Sequence, residues 1–193
     1  MAIPSREVCL VDPDGTPLGV REKEPAHREP VPLHRGVSLY VFRGQDLLVT
    51  QRSFHKKTWP GVWTNTCCGH PGPGESATAA ALRHLDNELG TSTVDQTHVV
   101  LPDFRYAVSM GNGWAENELC PVVAATVGGD WQVVPEPSEI ADHRWLPWAT
   151  FVQLALLGLT SPWSQLQVRE LLAAGFDPAA LASPVPPDPQ AVK

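Results

Sequence analysis

No apolar run in this chain approaches the roughly twenty residues that a membrane-crossing helix requires, so no membrane anchor is expected. Met1 to Ser5 lacks a basic stretch leading into an apolar core, so export is not expected either. Basic residues are in the minority, 14 Lys and Arg against 21 Asp and Glu, for a formal net charge of −7. That balance excludes a nucleic-acid footprint spread over the surface and confines any anion site to a local cluster of positive charge. Cysteine is scarce as well. The four thiols, Cys9, Cys67, Cys68 and Cys120, form no C-x-x-C pair, and they fit the reduced thiols of a soluble cytoplasmic protein better than a disulfide framework. No internal repeat at a solenoid period is present.

What is present fits one domain, 193 residues being enough to bury a sizeable core. A short N-terminal tail (1–5), a domain (6–175) and a Pro-rich tail (176–193) are expected. The run from Ser183 to Pro189 holds too much proline for a packed element, so that tail is expected to be disordered. Asp12-Pro13-Asp14-Gly15 between Val8–Val11 and Leu18 predicts an amino-terminal hairpin. The stretch from Glu22 to Pro32 carries three prolines and no apolar periodicity, so it reads as surface loop, with His27 on it and His34 at its end. Strands are predicted at Val37–Phe42, Asp46–Gln51, Val99–Val108, where Pro102 marks a bend or edge, and Glu118–Val127. Ala81, Leu82, Leu85 and Leu89 recur at helical spacing and Gly90 stands just beyond, predicting a helix between Glu75 and Leu89. Ser161-Pro162-Trp163 opens a second helix, predicted to bury Leu166, Leu171 and Leu172 and to end near Gly175. Strands mixed with few helices place the chain in the α/β class.

Chemistry is densest from Asn65 to Gly90. Asn65-Thr66-Cys67-Cys68-Gly69-His70-Pro71 sets a potential acid/base thiol beside a metal-capable imidazole. Gly69, Glu75, Arg83 and Glu88-Leu89-Gly90 then make the skeleton G-x5-E-x7-R-x4-E-L-G. This skeleton is similar to the Nudix box, whose loop-helix-loop presents carboxylates to metal ions on a diphosphate. The hydrolytic box carries acids where this chain has His84 and Asn87, so only Glu88 of the acidic trio remains. Hydrolysis needs clustered carboxylates to hold Mg²⁺ and activate water, and it loses favour here.

Four further motifs stand in order along the chain: Trp59-Pro60-Gly61-Val62-Trp63-Thr64-Asn65, Cys68-Gly69-His70-Pro71, Pro102-Asp103-Phe104-Arg105-Tyr106 and Glu116-Asn117-Glu118-Leu119-Cys120-Pro121. Together they resemble type I isopentenyl diphosphate isomerases from about Val8 to Leu172. The resemblance implies a Nudix-type fold, a mixed β-sheet flanked by helices in a single domain, and interconversion of isopentenyl and dimethylallyl diphosphate. Moving that double bond adds a proton at one carbon and removes one two carbons away, through a species like a tertiary carbocation, so two proton-transfer groups must flank the substrate. Cys68 and Glu118 match the family pair. Cys67, whose side chain points the other way in extended chain, is expected to pack.

By the same resemblance, His27, His34, His70, Glu116 and Glu118 would hold Mn²⁺, Zn²⁺ or Mg²⁺. Glu88, with the Cys68 backbone carbonyl, would hold a second ion, Mg²⁺, on the diphosphate. Tyr106 matches a tyrosine beside the catalytic carboxyl, and Trp163 one whose ring faces the carbocation. Lys23, Arg52 and Lys56 match positions that contact the diphosphate. Two positions depart from the pattern. His84 stands where many relatives have an arginine near the diphosphate, so substrate affinity is expected to weaken as pH rises through its titration. Gly36, after His34-Arg35, leaves the packing nearby open. The partner implied is a small isoprenoid diphosphate, with no nucleic acid or membrane; the oligomeric state stays open, a monomer being favoured. A Nudix hydrolase of a nucleotide-linked diphosphate is the runner-up, and a catalytically silent metal-binding homologue a third reading.

Overall fold

The computed structural model describes residues 7–182, so the tail expected at 1–5 and residues 183–193 lie outside it. The expected hairpin is β1 (Glu7–Val11) with β2 (Pro17–Glu22), and the Asp12 carboxylate accepts from the N–H groups of Asp14 and Thr16 to close its turn. The loop that follows contains one helical turn, α1 (Lys23–Ala26), which the sequence pattern did not announce. Then come β3 (His34–Arg35), β4 (Val37–Arg43), β5 (Asp46–Arg52), β6 (Trp63–Thr64) and β7 (Cys67–Gly69), followed by the helix α2 (Ala77–Leu89). Strands β8 (Gln96–Leu101), β9 (Arg105–Ser109), β10 (Ala115–Leu119), β11 (Val122–Thr126) and β12 (Ile140–Pro147) precede α3 (Trp148–Leu156) and α4 (Pro162–Ala173).

Two mixed sheets result. The smaller runs β2-β1-β3-β10-β9; the larger runs β12-β5-β4-β11-β8, with β6 on β5 and β7 on β4. The chain passes between them at Gly36, at Pro102 and at Pro121. The two long strands predicted at Val99–Val108 and Glu118–Val127 are each cut there, one half in each sheet. Proline donates no ladder hydrogen bond, so it suits a point where a strand changes sheets.

Strand parity distributes the core. In β4, Val37, Leu39 and Val41 face α2 with Ala80, Ala81, Leu85 and Leu89, while Tyr40 and Phe42 face Trp148, Phe151, Val168 and Leu171 on the other side. Leu85 and Leu89 are fully buried. Each stabilises the fold by about 1.5–3 kcal/mol through burial alone. The Ser76 hydroxyl caps α2 by accepting from the Ala79 N–H at 3.2 Å, and Gly90 ends it in the left-handed region at φ 73°.

Helix α4 corrects one expectation. Ser161 caps it as predicted, but Leu166 and Leu172 are exposed, and its buried side is Trp163, Ser164, Gln167, Val168 and Leu171. The polar members are buried because each has a hydrogen-bond partner inside. The chain after 175 also differs from the expected tail: Phe176 packs on the core, and Leu181 is buried in a 3₁₀ turn at Pro178–Ala182. Among the described residues no helix is long and apolar enough to cross a membrane.

Candidate active site

The seam between the sheets gathers the polar residues. Glu118 in β10 pairs in register with Tyr106 on β9 and with His34 on β3, so the three side chains share one face of the smaller sheet. Glu116, two residues earlier, shares that face. His27 follows directly on α1, and His70 follows β7. One ligand-type atom from each of His27, His34, His70, Glu116 and Glu118 lies within 4.8 Å of all the others. His27 Nε2 stands 2.9 Å from Glu116 Oε2, and His70 Nε2 3.1 Å from Glu118 Oε1. His34 Nε2 is 3.6 Å from Glu118 Oε1 and 3.9 Å from Glu116 Oε2.

Two backbone carbonyls orient this set. His27 Nδ1 donates to the Lys23 carbonyl at 2.5 Å and His34 Nδ1 to that of Pro32 at 2.9 Å, which turns both Nε2 lone pairs inward. His27 Nε2, His34 Nε2 and Glu116 Oε2 are buried without a well-directed hydrogen bond. Buried polar atoms are nearly always paired, so three such atoms converging with lone pairs inward fit a divalent cation. Burial works against charge at each group. For His34 the contact with Glu118 outweighs burial and raises its pKa; for His70 burial wins and lowers it well below the usual value. Burial also raises Glu116, whereas His34 and His70 overcome burial and hold Glu118 well below the carboxylate range.

Beside this cluster opens a cavity of about 1030 Å³, reached by Cys68, Tyr106, Glu118 and Trp163. Lys23, Arg52, Lys56, His84 and Glu88 line it as well. Cys67 and Cys68 point to opposite sides of the larger sheet, Cys67 into the α2 core and Cys68 toward α4. Burial pushes the Cys68 thiol up to about 12, against the lowering effect of hydrogen bonds with Ser38 and Asn65. Burial raises Tyr106 well above the phenol value, and the charge of Glu118 adds to this. Lys23 is exposed, yet the surrounding wall and then nearby Lys56 lower its pKa. Lys56 is paired with Glu139, and Arg52 donates to the carbonyls of Thr58 and Trp59.

Asn65 organises the inner wall. Its Oδ1 accepts from Trp163 Nε1 at 3.2 Å and from the Ser164 hydroxyl at 3.1 Å, while its Nδ2 lies 3.2 Å from Cys68 Sγ. One amide thus ties the tryptophan to the thiol. Neither Asn65 nor Ser38 nor Gln167 stood out in the sequence as a site residue, although Asn65 lay inside a motif that did.

Both departures have structural reasons. A Cβ on Gly36 would meet Glu118 Oε2 at 1.9 Å, so the carboxylate uses the space that glycine leaves. His84 is engaged by the protein: the His70 N–H donates to its Nε2 at 3.1 Å, and its Nδ1 lies 3.3 Å from Glu88 Oε1. Its ring occupies the place of a Gly69 Cβ, 2.0–2.2 Å away.

Residues 32–165 match the model of the family described as NUDIX domain, which gives the class. A Deinococcus radiodurans protein of known structure superposes with a TM-score of 0.64 at 18% identity over 85% of this chain and 98% of that one, sharing the fold. Closer in sequence are curated proteins named isopentenyl-diphosphate Delta-isomerase. That of Saccharopolyspora erythraea is 46% identical over 185 residues, 94% of either chain. That of Citrobacter koseri is 46% identical over 173 residues, 86% of this chain and 94% of its own. The chain belongs to the type I isopentenyl diphosphate isomerases of the Nudix superfamily.

Proposed function

We propose that this protein interconverts isopentenyl and dimethylallyl diphosphate, with Cys68 and Glu118 as its two proton carriers. What carries the reading is their meeting in one cavity: a thiol from β7 and a carboxyl from β10, with the Trp163 ring beside them and cationic side chains at the outer end. An allylic hydrocarbon fits the buried inner part. A diphosphate fits the outer part.

Lys23, Arg52 and Lys56 attract the diphosphate, and Glu88 with the Cys68 backbone carbonyl would hold a Mg²⁺ bridging to it. His27, His34, His70, Glu116 and Glu118 would hold a second cation, Mn²⁺, Zn²⁺ or Mg²⁺, whose charge would fix the Glu118 carboxyl and alter its acidity. Glu118 and Cys68 exchange protons with the two ends of the allylic system, and which gives first depends on direction. Tyr106, in register with Glu118, orients the proton at that carboxyl. The Trp163 π face, fixed by Asn65, steadies positive charge developing on the tertiary carbon, worth on the order of 0.5–2 kcal/mol. The 6–175 core with its packed extension is the unit that does this, in the cytoplasm.

Hydrolysis of a nucleotide-linked diphosphate lacks two of its three clustered acids, since His84 and Asn87 stand in their places and only Glu88 remains, while Glu75 is bound in a two-point ion pair with Arg83. Incubation with isopentenyl diphosphate and divalent cation is expected to yield dimethylallyl diphosphate. Phosphate release from nucleoside diphosphate derivatives without any allylic product would overturn the reading.

A further inference from the structure

Among the described residues Trp59 is the one non-glycine residue with a positive φ, at 44°. A bulky side chain rarely takes up the left-handed region, where its Cβ crowds the backbone. Pro60 adds to the cost, since a proline pushes the residue before it toward extended backbone. The protein nevertheless holds this turn from several sides. Arg52 Nε donates to the carbonyls of Thr58 and Trp59, both at 3.2 Å, and Arg52 Nη2 donates to the Thr58 carbonyl at 2.8 Å and its hydroxyl at 3.1 Å. The Gly61 N–H returns to the Arg52 carbonyl at 3.1 Å, and the Trp59 N–H meets Met110 Sδ at 3.4 Å. A backbone conformation this unfavourable persists only where its surroundings over-determine it, and such positions gather at functional sites.

What the strained turn delivers is a ring contact. Trp59, only 8% exposed, stands perpendicular to Trp163, with centroids 5.3 Å apart and planes at 86°. Aromatic pairs favour that arrangement. Trp163 lines the cavity together with Cys68 and Glu118, whereas Trp59 does not line it and backs the Trp163 ring from within the core. Asn65 pins the same ring at a single point, its Nε1–H. A planar ring held by one hydrogen bond still rocks about the N–H···O line. A second ring packed across it stops that rotation.

Taking the proposed isomerisation as its basis, we infer that Trp59 is a positioning residue, which acts through Trp163 by holding that ring face-on to the developing positive charge. A cation is attracted by the face of an indole, and the edge of the ring carries the opposite end of the quadrupole. A ring that rocks therefore gives up part of its attraction for the charged species. The neutral substrate feels little of this, so the loss belongs to turnover rather than to binding. Trp59 touches the indole and not the substrate. Replacing Arg52 would mix two effects, because its guanidinium carbon lies 5.4 Å from the Trp163 centroid and its charge is assigned to the diphosphate.

The test measures kcat and KM for isopentenyl diphosphate, with divalent cation present, in wild type, Trp59→Leu, Trp59→Phe, Trp163→Leu and the double variant Trp59→Leu/Trp163→Leu. If Trp59 aims the ring, Trp59→Leu lowers kcat about fivefold or more, within the roughly two- to thirtyfold that a cation–π contact supplies. KM stays within about twofold, as for an interaction made only in the transition state. Trp59→Phe keeps a ring on the same turn and recovers most of the loss. On the Trp163→Leu background, Trp59→Leu leaves kcat unchanged, because no π face remains to be aimed. Melting temperatures show which variants fold. Should Trp59→Leu fail to fold, Trp59→Phe runs the same cycle, with a loss of about two- to threefold on wild type and none on Trp163→Leu. Wild-type kcat in Trp59→Leu overturns the inference. An equal loss with and without the Trp163 ring overturns it too, since Trp59 then only shapes the pocket, and so does a rise in KM that accounts for the lost activity. No dimethylallyl diphosphate from wild type overturns the functional reading itself, before any substitution is compared, and the positioning role falls with it.

Discussion

Glu75 shows how one residue of a catalytic-looking motif serves structure instead. Both its oxygens meet Arg83, at 2.7 and 2.8 Å, and Oε2 also accepts from the Gly72 N–H, so the loop before α2 is tied to the helix. Arg83 first, against a smaller opposing effect of burial, holds the Glu75 carboxyl down at about 2 from the usual 4.5. The ionised form is thus favoured by folding. Its stabilisation is complete above the unfolded value and disappears as pH falls through the folded one. Glu75→Gln is expected to cost about 1–3 kcal/mol at pH 7. The gap in melting temperature from wild type should close between pH 4.5 and about 2. A gap that stays constant over that range would assign the loss to packing. At this scale the sequence pattern was informative about ligand-type residues, because His, Glu and Cys announce themselves by chemistry. It was silent on Asn65, Ser38 and Gln167, whose importance comes only from what they touch.

Among the elements, α2 was legible from its apolar stripe and the Gly90 beyond it, and it starts at Ala77, two residues inside the predicted limit, behind a Ser76 cap that the sequence reading did not single out. Helix α3 escaped although Trp148, Phe151, Val152 and Ala155 recur at helical spacing, and strands as short as β3, β6 and β7 carry too few residues for a period of two to register. The buried face of α4 misled because hydrophobicity alone ranks Leu166 above Gln167, and only the hydrogen bonds to Tyr40 and Ser38 reverse that order. The contact of α2 with the strand end before His70 gives a prediction. His84 fills the space over Gly69, and Arg83 donates to the His70 carbonyl at 3.0 Å, so the helix grips the His70 backbone from both sides. Gly69→Ala should displace the ring or the His70 loop and weaken divalent-cation binding by about tenfold or more, as losing a supporting contact does in other metal sites. Adding His84→Ala makes room and should recover part of the loss. Additive losses in titration calorimetry would show that the two positions are not coupled.

For the whole molecule, the His and Glu cluster that could hold a cation spans the segment after α1, strands β3 and β10, and the end of β7, so a cation there would fasten one sheet to the other. A cation that binds only the folded state adds about 2.7 kcal/mol at a hundredfold excess over its dissociation constant. Chelation should therefore lower the melting temperature by about 5–10 °C. His34→Ala should melt at one temperature with or without chelator. An unchanged wild-type melting point on chelation would count against a cation at the seam.

The two proposed proton carriers are tested most directly by isomerisation in D₂O, with deuterium in the recovered isopentenyl and dimethylallyl diphosphates read by mass spectrometry. Wild type should place solvent deuterium in the allylic product. Cys68→Ala and Glu118→Gln should each slow that incorporation by about 100-fold or more, the first without losing metal. Incorporation at the wild-type rate in either variant would contradict the assignment of the thiol and the carboxyl.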